Sequence, residues 1–173
     1  MIVRRAESRD SGRCQEIAVA AWEPIYASSR AALGEAIFGQ LHSAWRAAKA
    51  GQIVAAFENR LDWVLVACVD TRAGGDTGSG EGGQIVGFAT FRMDFERKVG
   101  EIGNNAVDPT WQGRGIAGAL CDRVLGRFRE EGMVVAKVTT GLDEAHAPAR
   151  AAYAKAGFGP ATSSVTYYRE LLG

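Results

Sequence analysis

The chain has 173 residues, 47% of them hydrophobic, and its 20 basic residues are balanced by 20 acidic residues. A chain of this length has the size of one domain and can bury about 70% of its unfolded surface without a metal ion or disulfides. The balanced charge argues against a broad nucleic-acid or anionic membrane surface, so any anion site must be local. We therefore expect one domain over residues 1–173, with no nucleic-acid and no membrane partner.

The three cysteines, Cys14, Cys68 and Cys121, are far apart, odd in number and without a partner at metal-ligand spacing. We interpret them as reduced thiols and expect neither a disulfide nor a metal site. The N-terminal residues lack the apolar core of a signal peptide, and the apolar runs are too short to cross a bilayer. These features predict a soluble, cytoplasmic protein.

The N-terminal third of the chain predicts one strand and two helices. Ile2–Arg5 has the composition of a short strand, and a helix capped at Asp10 or the next residue should end or kink at Pro24. Residues Gly34–Lys49 predict a second helix with one apolar stripe, and Gly51 is its expected end.

Two apolar segments, Asp62–Val69 and Gln84–Arg92, are rich in branched and aromatic residues and predict a β-hairpin. The segment 71–83 between them is rich in Gly, Ser and Asp, and we expect a mobile loop there. We interpret it as a solvated insertion rather than a lid or a phosphate loop, since no helix follows it.

The C-terminal half predicts a strand at Val99–Val107, then a helix that stops at Gly132, and a strand at Val134–Thr140. Pro148 suits the first turn of a last helix, and a final strand is expected around Ser163–Arg169.

The stretch VDPTWQGRGIAGAL at 107–120 passes from a strand through three glycines into an amphipathic helix. Glycines at a helix start let the backbone approach a ligand, and the first amides of a helix favour an anion. Within this stretch, Gly113-x-Gly115-x-x-Gly118 fits a dinucleotide fingerprint. That interpretation fails, because five residues separate Val107 from Gly113 and the next strand carries no carboxylate. Close helix packing alone would not require three glycines and an arginine.

The same stretch, read as Gln112-x-x-Gly115-x-Ala117 after a strand, resembles the acyl-CoA signature of the GNAT superfamily of N-acyltransferases. The resemblance extends over most of the chain. Ile85–Phe88 resembles the third strand of the family, Ala149–Phe158 its last helix, and Ala20–Tyr26 the first-helix segment of members that act on small amines. It implies an α/β (α+β) fold with a central mixed, mostly antiparallel split sheet, flanked by helices on both faces.

The resemblance also implies acetyl-CoA as co-substrate and no metal. The pyrophosphate would meet backbone amides at the helix start, where glycines leave room and an arginine adds positive charge. His146 stands where many family members have an asparagine that contacts the coenzyme, and an ordinary surface role is the alternative. The implied cofactor residues are Ala106, Val107, Gln112, Gly113, Arg114, Gly115, Ile116, Ala117 and His146.

Acyl transfer to an amine needs a base, an oxyanion donor and a proton for the departing thiolate. The resemblance implies Glu101 as base, a backbone amide near Val107 as oxyanion donor and Tyr153 as proton donor. Strand alternation predicts Glu101, Gly103, Asn105 and Val107 on one face. The alternatives are a solvated Glu101 balanced by neighbouring cations and a Tyr153 that only packs in the core.

Trp22, Tyr26 and Asn105 are candidates for the acceptor pocket and suggest a modest, weakly charged substrate, although Trp22 also fits an ordinary helix stripe. We expect transfer of acetyl from acetyl-CoA to a primary amine of a small molecule or peptide by direct attack, without a cysteine nucleophile. The alternatives are a non-catalytic acyl-CoA-binding or regulatory module of the same fold, and a nicotinamide-binding domain. Homodimer formation is left open.

Overall fold

The computed structural model describes residues 1–70 and 83–171. Within them, five strands form one sheet in the order β1-β2-β3-β4-β5, antiparallel from β1 to β4 and parallel between β4 and β5. The elements are β1 (Ile2–Arg5), α1 (Ser11–His42), α2 (Trp45–Arg60), β2 (Val64–Val69), β3 (Gln84–Asp94), β4 (Val99–Val107), α3 (Ile116–Glu130), β5 (Val135–Val138) and α4 (Ala147–Lys155).

Helices cover both faces of the sheet because its central strands carry apolar side chains on both sides. In β2, Leu65 and Ala67 belong to the core beneath α3, whereas Val64, Val66 and Cys68 belong to the core beneath α1 and α2. Burial on two faces explains the unbroken apolar run of this strand. The predicted mixed, mostly antiparallel sheet between two helical layers is confirmed.

The predicted hairpin is formed by β2 and β3, which pair in antiparallel fashion. The loop that we expect to be mobile, at 71–83, lies outside the described residues except for Gly83.

The first helix, which is expected to end or kink at Pro24, does not end there but continues past it. The break lies at Gly34, where φ is 75° and ψ is 164°. Glycine adopts this positive φ without steric cost, and the two parts of α1 meet through Tyr26 and Phe38, whose rings lie edge-on at 6.5 Å between centroids. Tyr26 also stacks on Trp45 of α2 at 4.2 Å. Aromatic packing and a glycine therefore set the break, not the missing amide of the proline.

The second predicted helix, Gly34–Lys49, is divided between the end of α1 and the start of α2, and α2 continues through Gly51 to Arg60. Trp45, Lys49, Ile53 and Phe57 are buried at four-residue intervals, so one side of α2 faces the core along its length. This burial outweighs the cost of about 1 kcal/mol for a glycine inside a helix.

A bulge in β4 changes which of its residues share a face. Gly103 and Asn104 together lie opposite a single residue of β3, Thr90. The predicted alternation that puts Glu101 and Asn105 on one face is therefore wrong. Glu101 lines a cleft beside α2, whereas the Asn105 side chain donates to a carbonyl of α3.

The predicted end of α3 is confirmed, since Gly132 follows the helix with a φ of 74°. Pro148 lies in the first turn of α4, also as predicted. The final strand predicted at Ser163–Arg169 is wrong. That segment forms no strand, and Tyr167 within it is 91% exposed. Branched and aromatic residues favour a strand only where a neighbouring strand and a covered face are present.

Among the described residues, no helix has the length and apolar character needed to cross a bilayer.

The contact between β4 and α3 generates a stability prediction. A Cβ atom added at Gly100 would lie 2.5 Å from the Phe128 ring. We expect Gly100→Ala to lower the free energy of unfolding by about 1–3 kcal/mol, because the buried ring must shift. Gly126→Ala is the matched control, since its new methyl would meet only Arg123 at 3.7 Å and should stabilise α3 by about 0.5–1 kcal/mol. Urea denaturation measures both effects, and a Gly100→Ala protein as stable as the wild type would contradict this packing.

Candidate active site

The chain passes from β4 to α3 through a loop in which two glycines have positive φ. The angle is 74° at Gly113 and 78° at Gly115. Apart from their chain neighbours, no described atom lies within 4 Å of a Cβ placed at either position. Among the described residues, the N–H groups of 113–115 donate to no acceptor, and the first turn of α3 leaves further amides free. Unpaired N–H groups around open space fit a phosphate group.

Asp108 holds this loop to α1. Its carboxylate accepts hydrogen bonds from the Thr110 amide at 2.9 Å and hydroxyl at 2.6 Å, and it pairs with Arg13. Burial would raise the pKa of Asp108, but the bonds from Thr110 and Arg13 outweigh burial and lower it. Gln112 donates from Nε2 to the Val107 carbonyl at 3.4 Å, so the side chain of this motif residue closes the loop itself.

The start of α3 is anchored to the sheet. Ile116 is buried, and the Ala117 carbonyl accepts a hydrogen bond from Asn105 Nδ2 at 3.1 Å. The Arg114 guanidinium lies 4.6 Å from the centre of the Trp111 ring and pairs with no carboxylate in the described residues. The loop therefore combines free amides with one uncompensated positive charge.

Beside this loop the sheet splits. β5 pairs with β4 only from Val99 to Ile102, while β4 continues to Val107. In the described part of the chain, two buried side-chain oxygens have no hydrogen-bond partner: Asn105 Oδ1 and Thr140 Oγ1. Asn105 lies in the part of β4 that does not pair with β5, and Thr140 follows the end of β5. Buried oxygens are normally hydrogen-bonded, so both remain available to accept a hydrogen bond from a ligand. Thr140 was missed by sequence reasoning.

Glu101 lies at the paired end of β4, in a cleft of about 430 Å³ between α2 and the sheet. Its Oε2 atom is 2.7 Å from Arg92 and 3.1 Å from Lys137. Burial would raise the pKa of Glu101, but the bonds from Arg92 and Lys137 outweigh burial and lower it. The carboxylate is therefore held in its charged form, while Oε1 takes part in neither contact.

Tyr153 is buried on α4. Its ring meets Phe158 edge-on at 5.8 Å between centroids and belongs to the core beneath α3. Burial raises the pKa of Tyr153 to about 12. Among the described residues none hydrogen-bonds the hydroxyl, which stays protonated at neutral pH. The geometry is compatible with a proton donor and equally with a packing role.

His146 takes part in the loop between β5 and α4. Its Nδ1 atom lies 2.6 Å from Asp143, and Arg150 donates to the carbonyls of Gly141 and Asp143 at 2.8 and 2.6 Å. Only Nε2 of His146 is therefore left for a further partner.

The three predicted acceptor residues do not lie in one pocket. Tyr26 lines a cleft of about 530 Å³ between α1 and α2, which is distinct from the cleft of Glu101. The Trp22 ring lies against Lys49, whose Nζ is 3.9 Å from the ring centre. Asn105 faces α3, on the other side of the sheet.

Lys49 was missed by sequence reasoning. It is 6% exposed, and its Nζ donates to Gln52 Oε1 at 3.0 Å and to Asn104 Oδ1 at 3.3 Å. Burial lowers the pKa of Lys49 to about 8. The signal in the sequence is a lysine four residues after Trp45 and four before Ile53, within an apolar stripe.

The cysteines are buried free thiols. Burial raises the pKa of Cys14 to about 12 and that of Cys121 to about 11, and it also raises the pKa of Cys68. Thiolates are therefore strongly disfavoured, which argues against a cysteine nucleophile. Across 1–70 and 83–171, no group of three His, Cys, Asp or Glu residues is arranged to hold a metal ion.

Solved structures with this fold include three chains of low sequence identity. The PaiA N-acetyltransferase of Thermoplasma acidophilum, in complex with coenzyme A, is 16% identical with a TM-score of 0.67, over 94% of this chain and 92% of that one. The ribosomal-protein-alanine N-acetyltransferase of Brucella melitensis is 19% identical with a TM-score of 0.60, over 91% and 83%. A Mycobacterium tuberculosis protein in complex with coenzyme A is 20% identical with a TM-score of 0.57, over 96% and 76%.

At these identities the solved structures establish a shared fold, and no curated protein matches the chain. Residues 70–158, which are more than half of the chain, match the model of the Acetyltransferase (GNAT) family. They include the glycine loop before α3, the split between β4 and β5, and α4. The chain therefore belongs to the GNAT family of acetyltransferases.

Proposed function

We propose that the protein is an N-acetyltransferase that moves the acetyl group of acetyl-CoA to a primary amine of a small molecule or peptide by direct attack. The observation that carries the proposal is the loop of Gly113 and Gly115, in which both glycines have positive φ. Free amides there adjoin open space beside the split of the sheet. Family membership and two structural relatives in complex with coenzyme A support it.

In this proposal the pyrophosphate binds the N–H groups of residues 113–117, and Arg114 contributes positive charge. The pantetheine arm then follows the open edge of β4, past the backbone of Ala106 and Val107, and Asn105 Oδ1 and Thr140 Oγ1 lie near that path. This direction leads from the glycine loop towards Glu101.

The position of Glu101 refines the expected chemistry. Five residues separate it from Val107, which is about 20 Å away along a strand, so Glu101 and the Val107 amide cannot both act directly at the reacting carbon. With Glu101 as base, we propose that the oxyanion donor is the backbone amide of Gly103 or Asn105, because the Asn104 amide already donates to Thr90. Oε1 of Glu101 would accept the proton of the amine directly or through water, and Tyr153 would protonate the thiolate.

Gly115→Val tests the cofactor site. Valine at a φ of 78° is strained, and its side chain would fill the space in front of the amides, so coenzyme A affinity should fall by about 100-fold or more. Gly132→Val is the matched control, because Gly132 has a φ of 74° and equally open surroundings but lies at the other end of α3. Calorimetric titration with coenzyme A measures both. Equal coenzyme A affinities of the two folded variants would contradict the proposal that the cofactor binds at this loop.

Glu101→Gln tests the base. In a thiol-release assay with acetyl-CoA and a panel of primary amines, we expect kcat/KM at neutral pH to fall by about 100-fold while coenzyme A affinity is unchanged. The deficit should shrink at alkaline pH, where the amine loses its proton unaided. Glu130→Gln, which removes an exposed carboxylate paired with Arg123 and Arg127, is the control and should keep full activity. Coenzyme A binding without thiol release from any amine would favour the non-catalytic alternative.

Tyr153→Phe tests the proton donor, since it keeps the packed ring and removes only the hydroxyl. We expect kcat to fall by about 10- to 100-fold, with coenzyme A affinity and Tm unchanged. Tyr168→Phe, in the C-terminal segment, is the control for loss of a tyrosine hydroxyl. An unchanged kcat in Tyr153→Phe would assign Tyr153 to packing alone.

A further inference from the structure

Buried polar side chains concentrate at the bulge of β4. Among the described residues, the polar or charged residues that are buried are Asp10, Lys49 and Thr90. Asp10 is paired with Arg4 at 2.7 Å near the N-terminus. Lys49 and Thr90 both bind the same residue, Asn104.

Asn104 is held from two sides. Its backbone N–H and its Nδ2 donate to Thr90 Oγ1 at 2.8 and 3.2 Å, and its Oδ1 accepts from Lys49 Nζ at 3.3 Å. The side chain of Asn104 thus spans the bulge between β3 and α2. Its orientation is determined by the ammonium group as well as by the threonine.

The ammonium of Lys49 has no carboxylate partner within the described residues. It contacts Gln52, Asn104 and the face of the Trp22 ring, all of which are neutral. A buried charge without a counter-charge is costly, and hydrophobic residues at the neighbouring stripe positions show that an apolar side chain would fit the helix pattern. A functional role of the ammonium at the β4 bulge, which it contacts through Asn104, would explain why this energetic cost is tolerated.

That segment is where the sheet opens. β5 stops pairing at Ile102, and Gly103 and Asn104 are the next two residues of β4. Preorganised strand amides in a water-excluded site stabilise an oxyanion, and a fixed positive charge nearby favours the negative charge that develops there. Lys49 of α2 provides both the hydrogen bond that holds Asn104 and the positive charge near this segment.

We propose that Lys49 is a positioning residue for acyl transfer, whose buried ammonium holds Asn104 and thereby orients the adjacent amides of Gly103 and Asn105 towards the reacting thioester. This inference rests on the proposed function. It assigns a role to α2 that is separate from those of Glu101 and Tyr153.

Lys49→Met tests the role, because methionine fills the same apolar stripe without the charge. We expect kcat to fall by about 10- to 100-fold, coenzyme A affinity to stay unchanged, and Tm to stay within about 4 °C of the wild type. Gln52→Leu is the matched control. It removes another acceptor of Lys49 without touching Asn104, and it should lower kcat by less than about threefold.

A double-mutant cycle separates positioning from general packing. If Lys49 acts through Asn104, then Lys49→Met and Asn104→Ala should be strongly non-additive in kcat, so the double variant should be about as slow as the slower single variant. Additive losses, or a loss of Tm with unchanged kcat, would overturn the proposal.

The pH profile supplies a further readout. Burial lowers the pKa of Lys49 to about 8, and none of its contacts from α1, α2 and β4, which are Trp22, Gln52 and Asn104, titrates. The charged form is the active one, so the wild-type kcat should decline as the pH rises through about 8. Lys49→Met should lack this decline, and an identical decline in that variant would count against the proposal.

Amide hydrogen exchange at Gly103–Asn105 keeps this inference distinct from the proposed function. Faster exchange there in Lys49→Met, but not in Gln52→Leu, is expected even if the wild type turns over no amine. Such a result with an inactive wild type would refute the acetyltransferase proposal and retain the structural coupling. Unchanged exchange together with an unchanged kcat in an active enzyme would refute the role of Lys49 alone.

Discussion

The bulge in β4 opposite Thr90 is the constraint on which the rest of the site depends. One residue of β3 faces two residues of β4, and the Thr90 hydroxyl accepts two hydrogen bonds from Asn104. Gly103 is required there, since a Cβ atom would lie 2.8 Å from Thr90 Oγ1. The extra residue sends Glu101 to the face of α2 and Asn105 to the face of α3. A regular strand would have placed both on one face.

The charged side chains also differ between the α2 face of the sheet and the glycine loop before α3. On the α2 face, Glu101 is held ionised by Arg92 and Lys137, while the partners of the buried Lys49 in the described part of the chain are neutral. At the glycine loop, Arg114 remains without a carboxylate partner among the described residues. An enzyme that binds an anionic coenzyme and stabilises a transient oxyanion needs positive charge at both places.

Contacts between the helices and the sheet also support the site. Arg13 of α1 reaches the Ile85 carbonyl at 3.3 Å and pairs with Asp108, the residue that shapes the loop before α3. Asn105 fastens the first turn of α3 to the strand. The glycine loop is therefore positioned by both helical layers, which reduces the reorganisation needed when a ligand binds.

Short-range features of the sequence determined most of the strands and the loop before α3. The branched and aromatic residues of β2 and β3 predicted their strands, and the positive φ of Gly113 and Gly115 follows from glycines placed between a strand and a helix. The GNAT resemblance likewise depends on short-range spacing around Gln112 and Gly115. Tertiary structure decided the features that depend on distant partners. Aromatic packing moved the break of α1 to Gly34, and a buried stripe carried α2 past Gly51. The bulge reversed the face of Glu101 relative to Asn105. No residue pattern reports a strand register or the neighbours of a buried lysine, because both are set by segments that are far apart in the chain.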